Sequence, residues 1–362
     1  MIIGVPKEIK KHEYRVGMTP MGVSLLVKEG CDVLVEEGAG MGSGFKDSEY
    51  KKAGAKITDV NEIYKKSQLI VKVKEPLPEE YPLFRKKQAL FTYLHLASNP
   101  RLIEFLCENE ITAFAYETLE INNNLPLLAP MSEIAGRMAP IVGAYYLQKK
   151  EKGCGVMPLG AVGVKPAKVL ILGAGNVGFN SAKVSYNMGF DTIVLNRSIE
   201  RLQKIDDYFN GKVKTRILNE YNLEEELYDA HIVIGAVLVP GGRTPILIKK
   251  DMLRKMIRGS VIVDVSIDQG GCVETAKPTT HDNPVYIVDG VIHYMVANMP
   301  GAYPRTSTIA LTNATISFIR DMAHMGIDRA INDRVFRTAL NIYKGEIVNE
   351  NLRDSLKGRY FL

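Results

Sequence analysis

A glycine-rich turn between two apolar runs constrains the fold of this chain more than any other feature. The first run ends at Gly173, and Gly175 and Gly178 complete a G-x-G-x-x-G pattern. A helix-compatible run, 179–188, and a second apolar run, 191–196, follow the turn. The pattern alone is weak, but a strand, glycine turn, helix and strand in this order are typical of dinucleotide-binding units. The sequence therefore predicts that this segment binds a dinucleotide.

Each glycine of this turn has its own physical task. Gly173 permits the tight turn, Gly175 lets the backbone approach a pyrophosphate, and Gly178 allows the helix to pack closely on the strand. The start of the helix that follows offers unpaired N–H groups and a positive dipole end to the phosphates. We therefore expect these residues to contact the cofactor.

The composition of the chain limits the classes of protein to which it can belong. A length of 362 residues suggests two domains, and 46% hydrophobic residues are enough to build their cores. The net charge of +5 is small, and no basic stripe is interleaved with aromatic residues, which argues against a nucleic-acid partner. No uncharged apolar run reaches the roughly 18 residues of a membrane span, so we expect no membrane association. Four widely separated cysteines without metal-binding spacing indicate reduced thiols in a cytoplasmic protein.

The order of the predicted elements indicates an α/β fold with two Rossmann-like domains, each built on a parallel sheet. Strands alternate with helical segments in both halves of the chain. Two long helices, 306–325 and 328–343, are predicted to follow the second domain and to complete the first. The expected bounds are 1–129 with 305–362 for a discontinuous substrate domain, and 130–304 for an NAD(P)-binding domain.

Three residues of the first domain could act on a small anionic substrate. Arg15, Lys74 and His95 lie in strand- or turn-like segments, and open α/β sheets collect ligands at strand ends. An arginine can hold a carboxylate, a lysine can polarise a carbonyl or imine oxygen, and a histidine can move a proton near neutral pH. Lys72 would face the same side of a strand as Lys74, so either could be functional. Taken singly, each lysine is more often a solvated surface residue, and a lone histidine such as His95 is more often a histidine buried in the core.

Two strand-to-loop junctions in the second domain could lie against a cofactor. The run 234–242 is an apolar strand that enters a glycine loop, and a second buried strand, 261–264, runs into the polar glycine turn that contains Asp268. Asp268 would lie at the carboxyl edge of its strand, near a nicotinamide. A single aspartate before glycines is also an ordinary turn residue.

The position that discriminates NAD from NADP lacks the expected acidic residue. The strand after the glycine motif ends in Asn196 and Arg197 instead. An amide can hydrogen-bond a ribose 2′-hydroxyl but does not repel a 2′-phosphate, and Arg197 and Arg201 could pair with that phosphate. Both arginines fit solvated surface charges equally well. The choice between NAD and NADP is open at this position.

Several dense motifs resemble, in order and over nearly the whole length, those of the alanine dehydrogenase and pyridine-nucleotide transhydrogenase family. The matching segments are 4–9 with Arg15 and Val16, 71–76, 93–95, 130–137, 173–178, 234–240, 264–272, 277–280 and 296–301. The resemblance to alanine dehydrogenase implies reversible oxidative deamination of L-alanine to pyruvate and ammonium with NAD. It also implies a homohexamer of two-domain subunits.

The resemblance assigns roles to individual residues. Arg15 and Lys74 would bind the substrate, His95 would be the acid/base and Asp268 the second catalytic group. Together with the glycine motif, it predicts a cofactor site lined by Ser132, Gly173, Gly175, Asn176, Val177, Gly178, Asn196, Arg197, Arg201, Val237, Leu238, Val265, Ser266, Ile267, Lys277, Val296, Ala297, Asn298 and Met299. Lys277 stands where the family commonly has arginine, and Asn196 replaces the usual aspartate.

We expect no metal ion. The divalent-metal contact that occurs in some members of the family is not matched convincingly by this sequence. Asp321 and His324 lie one helical turn apart, but they look like ordinary helix surface.

Two other interpretations remain. The start of the chain and its glycine turn also resemble the nicotinamide-binding subunit of proton-translocating transhydrogenase, which would imply a membrane partner and dispensable Lys74 and His95. A non-catalytic nucleotide-binding protein would instead use the bound cofactor for regulation. Turnover of alanine with NAD would separate both from the enzyme.

Overall fold

A computed structural model describes residues 1–237 and 244–357 of the chain. The chain divides into two compact units, of which the first comprises Met1–Met131 with Gly301–Leu362 and the second Ser132–Pro300. Each unit is built on one largely parallel sheet with helices, which confirms the predicted α/β class with two Rossmann-like sheets. Among the described residues, no helix is both long and apolar enough to cross a membrane.

The N-terminal part of the first unit alternates strands with helices. Its strands are β1 (Ile2–Val5), β2 (Asp32–Glu36), β3 (Lys56–Thr58), β4 (Leu69–Val71), β5 (Ala89–Thr92) and β6 (Thr112–Ala115), and its helices are α1 (Pro20–Lys28), α2 (Asp47–Lys52), α3 (Val60–Lys66) and α4 (Pro100–Glu108). These six strands are all parallel, in the order β6-β5-β4-β1-β2-β3. The carboxyl ends of the neighbouring strands β4 and β5 therefore lie side by side, which brings the segments after them together.

The second unit carries the glycine motif. Its strands are β7 (Lys168–Leu172), β8 (Asp191–Asn196), β9 (Lys214–Ile217), β10 (Ile232–Gly235), β11 (Val261–Asp264), β12 (Val285–Val288) and β13 (Val291–Tyr294), and the helices are α5 (Ala129–Tyr146), α6 (Asn176–Asn187), α7 (Ile199–Phe209), α8 (Glu220–Tyr228) and α9 (Lys250–Leu253). The sheet order is β12-β13-β11-β10-β7-β8-β9, and only β12 pairs antiparallel among these strands. The order reverses between β7 and β10, which is the kind of switch point where open α/β sheets bind ligands.

The C-terminal part completes the first unit and differs from the prediction. It contains α10 (Pro304–Met325), α11 (Ile327–Ala330), α12 (Phe336–Ala339), β14 (Leu340–Tyr343), β15 (Glu346–Ile347) and α13 (Glu350–Lys357). The long helix predicted over 328–343 is therefore wrong. Its apolar spacing suited a helix, but Gly326 ends α10 with a φ of 80°, and Ile342 pairs with Ala113 of β6 in an antiparallel ladder. Burial of this strand in the core overrides its helical periodicity.

Strand β7 shows how the second sheet is stabilised. Val169 and Ile171 belong to one buried apolar cluster, whereas Leu170 and Leu172 belong to another on the opposite side of the strand. Because side chains alternate along a strand, both faces of the sheet are covered. This explains why the strand is a continuous apolar run, and it leaves the strand ends as the places where polar residues can collect.

We predict that Ile342 supports the first unit through burial. Its side chain is fully buried, so Ile342→Ala should lower the free energy of unfolding by about 2–5 kcal/mol. Urea unfolding followed by circular dichroism measures this loss. The exposed Glu346→Ala is the matched control and should change stability by roughly 0.5 kcal/mol or less. Equal losses in the two variants would contradict the assignment of β14 to the core.

Candidate active site

The glycine turn has the shape of a phosphate cradle. Gly173 has a φ of 115°, and a Cβ on it would collide with the carbonyl oxygen of Ala236. A Cβ on Gly178 would collide with the carbonyl oxygen of Gly173. In contrast, a Cβ on Gly175 would meet nothing nearer than Arg201 Nη1 at 3.9 Å. Gly173 and Gly178 are therefore required for packing, whereas open space lies above Gly175.

The start of α6 points at this open space. Gly175 precedes the helix in an extended conformation and supplies no side-chain cap to it. The first N–H groups of a helix have no partner within the helix, so those of α6 suit a phosphate. Helix α5 packs against this end, because Ser181 Oγ donates to the Gly136 carbonyl at 2.9 Å. Ser132 lies one turn before Gly136 on α5 and is half-buried.

Asn196 is bound to the backbone of the glycine turn. Its Oδ1 accepts from Ala174 N at 3.3 Å, and its Nδ2 donates to the Ser198 carbonyl at 3.2 Å. The side chain therefore fixes the turn as well as ending β8. Arg197 and Arg201 are both exposed, and the Nη1 of Arg201 lies beside Gly175. This position favours Arg201 over Arg197 as a phosphate contact.

A second group of predicted cofactor residues follows β10 and β11. Val237 N donates to Ser266 Oγ at 3.1 Å, which joins the loop after β10 to the short 3-10 helix Val265–Gln269. Ile267 is buried within this helix, and Asp268 is exposed on it. Leu238, which was predicted to line the cofactor, lies outside the described residues. The structure thus brings together Val237 with the residues that follow β11.

The third group follows β13 on the same edge of the sheet. Val296 and Met299 are buried, whereas Ala297 and Asn298 are half-buried, and Asn298 has a φ of 63°. Ala297 N donates to the Thr279 carbonyl at 3.3 Å, which fixes this segment to the preceding loop. The predicted contact Lys277 belongs to that loop and has an exposed side chain. Its backbone N donates to Tyr286 OH at 2.8 Å.

In the first unit, Arg15 is held by a buried carboxylate. Its Nε and Nη2 donate to the two oxygens of Glu13, both at 2.6 Å, and its Nη1 contacts Met131 Sδ at 3.1 Å. Burial opposes ionisation of Glu13, but Arg15 outweighs this effect and lowers the pKa of Glu13 to about 2. A bidentate pair of this kind fixes the plane of the guanidinium. Arg15 therefore stays charged in one orientation.

The two candidate lysines have different surroundings. Lys72 is fully buried, and its Nζ lies 2.7 Å from Glu80 Oε1 and 3.2 Å from Glu8 Oε2. Lys74 is 8% exposed, and its charge adds to that of Arg15 in lowering the pKa of Glu13. Lys72 therefore belongs to a structural ion network. Lys74 is the lysine grouped with Arg15 through Glu13, which favours it as the substrate residue.

His95 is held at its backbone and exposed at its ring. It adopts a left-handed conformation with a φ of 48°, and Glu117 Oε1 accepts from its N–H at 2.6 Å. Such a conformation costs on the order of 1–3 kcal/mol and persists where the surroundings enforce it. The ring stacks on Tyr93 with 6.0 Å between centroids. Tyr93 is in turn fixed by a hydrogen bond from its hydroxyl to the Leu127 carbonyl at 2.5 Å.

Lys74 and His95 also share an acidic neighbour. Burial raises the pKa of Glu75, but Lys10, Lys74 and His95 together lower it below the ordinary value. Lys10 Nζ lies 2.5 Å from Glu75 Oε1. The structure therefore groups Arg15, Lys74 and His95, which follow β1, β4 and β5, around the carboxylates Glu13 and Glu75.

Sequence reasoning missed the carboxylates that orient these groups. Glu13, two residues before Arg15, is the one with a local signal. Glu8 also escaped notice, although its Oε1 accepts from Val73 N at 2.6 Å and so holds the end of β4. Glu117 acts through contacts with Leu94 N and His95 N, which are distant in the sequence, so spacing gives no signal.

No group of three or more His, Cys, Asp or Glu side chains within 1–237 and 244–357 could hold a metal ion. Of the two residues considered for a metal contact, Asp321 accepts from Arg320 at 3.0 Å, and His324 pairs with Glu29. Both therefore take part in surface ion pairs, which fits ordinary helix surface.

Two protein-family models match consecutive parts of the chain. The model described as "Alanine dehydrogenase/PNT, N-terminal domain" matches residues 4–135, and "Alanine dehydrogenase/PNT, C-terminal domain" matches residues 139–350. The chain belongs to this alanine dehydrogenase/PNT family, which confirms the resemblance inferred from the motifs.

Curated relatives agree over nearly the full length. The chain is 48% identical to the alanine dehydrogenase of Bacillus subtilis (strain 168), an alignment that covers 99% of this chain and 96% of the relative. It is 49% identical to the alanine dehydrogenase of Halomonas elongata, over 96% of this chain and 94% of the relative.

Solved structures show the same fold. A structure of L-alanine dehydrogenase matches with a TM-score of 0.95 at 44% identity and covers 99% of both chains. A transhydrogenase structure from Sinorhizobium meliloti matches with a TM-score of 0.85 at 24% identity, over 96% of this chain and 100% of the other. At that identity the second likeness shows the fold alone.

We predict that Lys72 and Lys74 differ in their effect on stability. Lys72→Met should lower the free energy of unfolding by about 3–5 kcal/mol, because Glu8 and Glu80 would remain buried without their cation. Lys74→Met, the matched variant, should cost clearly less. Urea unfolding at neutral pH measures both values. Equal losses would show that the two lysines serve the same structural network.

Proposed function

We propose that this protein is an alanine dehydrogenase that converts L-alanine to pyruvate and ammonium, reversibly, with NAD as the cofactor. The observation that carries the proposal is the grouping of Arg15, Lys74 and His95 in the segments that follow the neighbouring strands β1, β4 and β5. These are the groups that an amino or keto acid needs, and the chain is similar over nearly its full length to alanine dehydrogenases.

We assign substrate binding to the first unit and cofactor binding to the second. The fit of the second unit to a dinucleotide rests on the open space above Gly175, which the start of α6 faces. In this assignment the pyrophosphate lies on the glycine turn and on the N–H groups of Asn176 and Val177. The predicted cofactor residues after β10, β11 and β13 would hold the nicotinamide half.

Arg15 and Lys74 would hold the substrate by its oxygens. Arg15 pairs with the carboxylate, since Glu13 fixes its guanidinium in one plane. Lys74 polarises the carbonyl of pyruvate or stabilises the carboxylate of alanine. Hydrogen bonds to charged groups contribute about 1.5–3 kcal/mol each, enough to select a small amino or keto acid.

NAD would supply the hydride acceptor when bound. L-alanine loses the hydride from Cα and one proton of its ammonium group, which passes to solvent, and protonated iminopyruvate remains. Water adds to the imine carbon and gives a carbinolamine, as His95 takes a proton from that water. His95 then returns a proton to the amino nitrogen, the C–N bond breaks, and pyruvate and ammonium leave. His95 is exposed, and Glu117 fixes the backbone of this residue by a hydrogen bond. Its imidazole ring is therefore suited to both proton transfers.

Asp268 is proposed as the second catalytic group. It is exposed on the short helix after β11, among the residues assigned to the nicotinamide. A carboxylate there would orient the amino group of the substrate by accepting its hydrogen bonds.

The cellular setting is proposed from the family resemblance and the reduced thiols. We propose a cytoplasmic homohexamer that acts on small molecules and needs no metal ion, nucleic acid or membrane. Sedimentation velocity on the purified protein tests the assembly, and a mass other than six chains would refute it.

The activity is tested by following NADH absorbance with L-alanine and NAD, and with pyruvate, ammonium and NADH in reverse. A panel of amino acids establishes the specificity. Turnover in both directions is expected. If NADH binds but no amino acid is oxidised, the transhydrogenase-like and regulatory interpretations replace the enzyme.

We predict that His95→Ala lowers kcat for alanine oxidation by roughly 10²-fold or more, the usual effect of a positioned acid/base group. His324→Ala is the control, since His324 pairs with Glu29 on the surface and should leave turnover unchanged. Steady-state assays on variants with native circular dichroism measure the effect. Near-wild-type turnover in His95→Ala would remove this residue from the mechanism.

We predict that Asn196→Asp raises the ratio of kcat/KM for NAD over NADP by about tenfold, which corresponds to roughly 1.4 kcal/mol. An added negative charge would repel the 2′-phosphate, so the change should come mainly from weaker use of NADP. Loss of the hydrogen bond from Asn196 Nδ2 to Ser198 should affect both cofactors alike.

Arg201→Gln provides the second variant for this prediction. If Arg201 pairs with the 2′-phosphate, NADP use should fall further than NAD use. An unchanged ratio in both variants would mean that shape alone rejects the 2′-phosphate.

A further inference from the structure

We infer that Asp264 is a positioning residue that holds the two loops assigned to the nicotinamide, and that it does so as the carboxylate. The inference rests on the cofactor assignment proposed above and goes beyond it. It concerns a buried ionisable residue that neither the glycine motif nor the reaction chemistry uses.

The side chain of Asp264 closes the turn that follows β11. The residue is the last one of that strand and is fully buried. Its Oδ1 accepts from Ser266 N at 3.0 Å, and its Oδ2 accepts from Cys272 N at 2.7 Å. One carboxylate therefore binds both ends of the segment 266–272, which contains Asp268.

The same carboxylate acts on the loop after β10. Gly235 of β10 pairs with Asp264 in the parallel ladder. Ser266, whose N–H is bound by Asp264, accepts through its Oγ a hydrogen bond from Val237 N at 3.1 Å. A chain of hydrogen bonds thus runs from Asp264 through Ser266 to Val237 and sets Val237 relative to the segment after β11.

Two glycines make room for this carboxylate. A Cβ on Gly235 would lie 2.5 Å from Asp264 Oδ1, and a Cβ on Gly271 would lie 2.8 Å from Oδ2. Gly271 also has a φ of 79°, which other residues rarely adopt. The local sequence is therefore built around the position of both oxygens, which supports a role for the side chain beyond filling space.

Ionisable groups on two further elements face Asp264. The Cys272 thiol donates to its carboxylate, and the pKa of that thiol is raised by burial and by the charge of Asp264. Tyr286, on β12, has a pKa raised by burial and also by Asp264. Burial raises the pKa of Asp264 itself to about 6, against the hydrogen bonds from Cys272 and Ser266.

The raised pKa of Asp264 argues against folding stability as the reason for keeping this side chain ionised. The folded-state pKa lies above the ordinary value of 3.8, so the folded protein holds this proton between roughly pH 4 and 6, where the unfolded chain has lost it. The contribution of Asp264 to stability therefore falls as the pH rises through this window. At neutral pH the ionised form of Asp264 opposes folding. It is nevertheless the form that accepts hydrogen bonds from both N–H groups, those of Ser266 and Cys272.

Cofactor binding should therefore select the carboxylate form. If only that form holds the loops, the Kd for NADH rises as the pH falls through the pKa. A pKa of about 6 implies a Kd about fourfold higher at pH 5.5 than at neutral pH, and about tenfold higher at pH 5. Binding below pH 6 should also release a proton.

The test is a fluorescence titration of NADH between pH 5 and 8 with wild type, Asp264→Asn and Asp251→Asn. Asp264→Asn keeps the shape but offers one acceptor oxygen, so we expect Kd to rise at least about tenfold and to lose the pH dependence. Ser266→Ala should weaken binding and keep the pH dependence, since Asp264 remains. Asp251→Asn, at an exposed position of α9, should behave as wild type.

Calorimetry on the wild type keeps the inference testable if Asp264→Asn does not fold. NADH binding at pH 6, measured in two buffers of different ionisation enthalpy, should release protons, and no release would overturn the inference. Unchanged affinity and pH dependence in a folded Asp264→Asn would overturn it too, whereas alanine turnover would persist and leave the proposed function intact. A wild type that does not bind NADH would refute the cofactor assignment and this inference together.

Discussion

Parallel strand pairing is the constraint on which both groups of candidate residues depend, the substrate residues of the first unit and the cofactor residues of the second. Strands that run in one direction end at one edge of the sheet, and both faces of that sheet are occupied by apolar packing. Polar side chains can therefore collect at the edge. In the first unit the segments after β4 and β5 supply Lys74 and His95. In the second unit the segments after β7, β10, β11 and β13 supply the cradle and the loops assigned to the cofactor.

Carboxylates, most of them buried, then fix the orientation of the groups at the strand ends. Glu13 orients Arg15, Glu8 and Glu80 hold Lys72, and Glu117 holds the backbone of His95. Desolvation of each buried ion costs several kcal/mol, and pairing in the interior often does no better than replacement by apolar residues. Such a network is therefore poorly explained by stability. Its physical effect is to restrict the orientation of the cations, which an enzyme needs for substrates that differ by a few atoms.

The strands that are short apolar runs and the turn that contains the glycine motif could be predicted well from the sequence. β8 and β11 have the predicted bounds, 191–196 and 261–264, because short apolar runs between polar turns leave little choice. The segment 328–343 failed because its spacing fits a helix, while contact with β6 makes its last residues a strand. Lys72 and Lys74 could not be separated, since alternation places both on one face. Their partners, Glu80 and Glu13, come from elsewhere in the chain.

Two aspartates four residues apart show what a sequence pattern cannot resolve. Asp264 and Asp268 belong to the same motif, and the strand-end rule drew attention to Asp268 alone. In the structure Asp268 is exposed, whereas Asp264 is buried beneath Gly235 and Gly271 with both oxygens bound. Residue type and spacing are alike, so the difference arises from the packing of β10 against β11. The exposed carboxylate of Asp268 is therefore available to a bound substrate. The carboxylate of Asp264 is enclosed by backbone N–H groups and instead fixes the segment that carries Asp268.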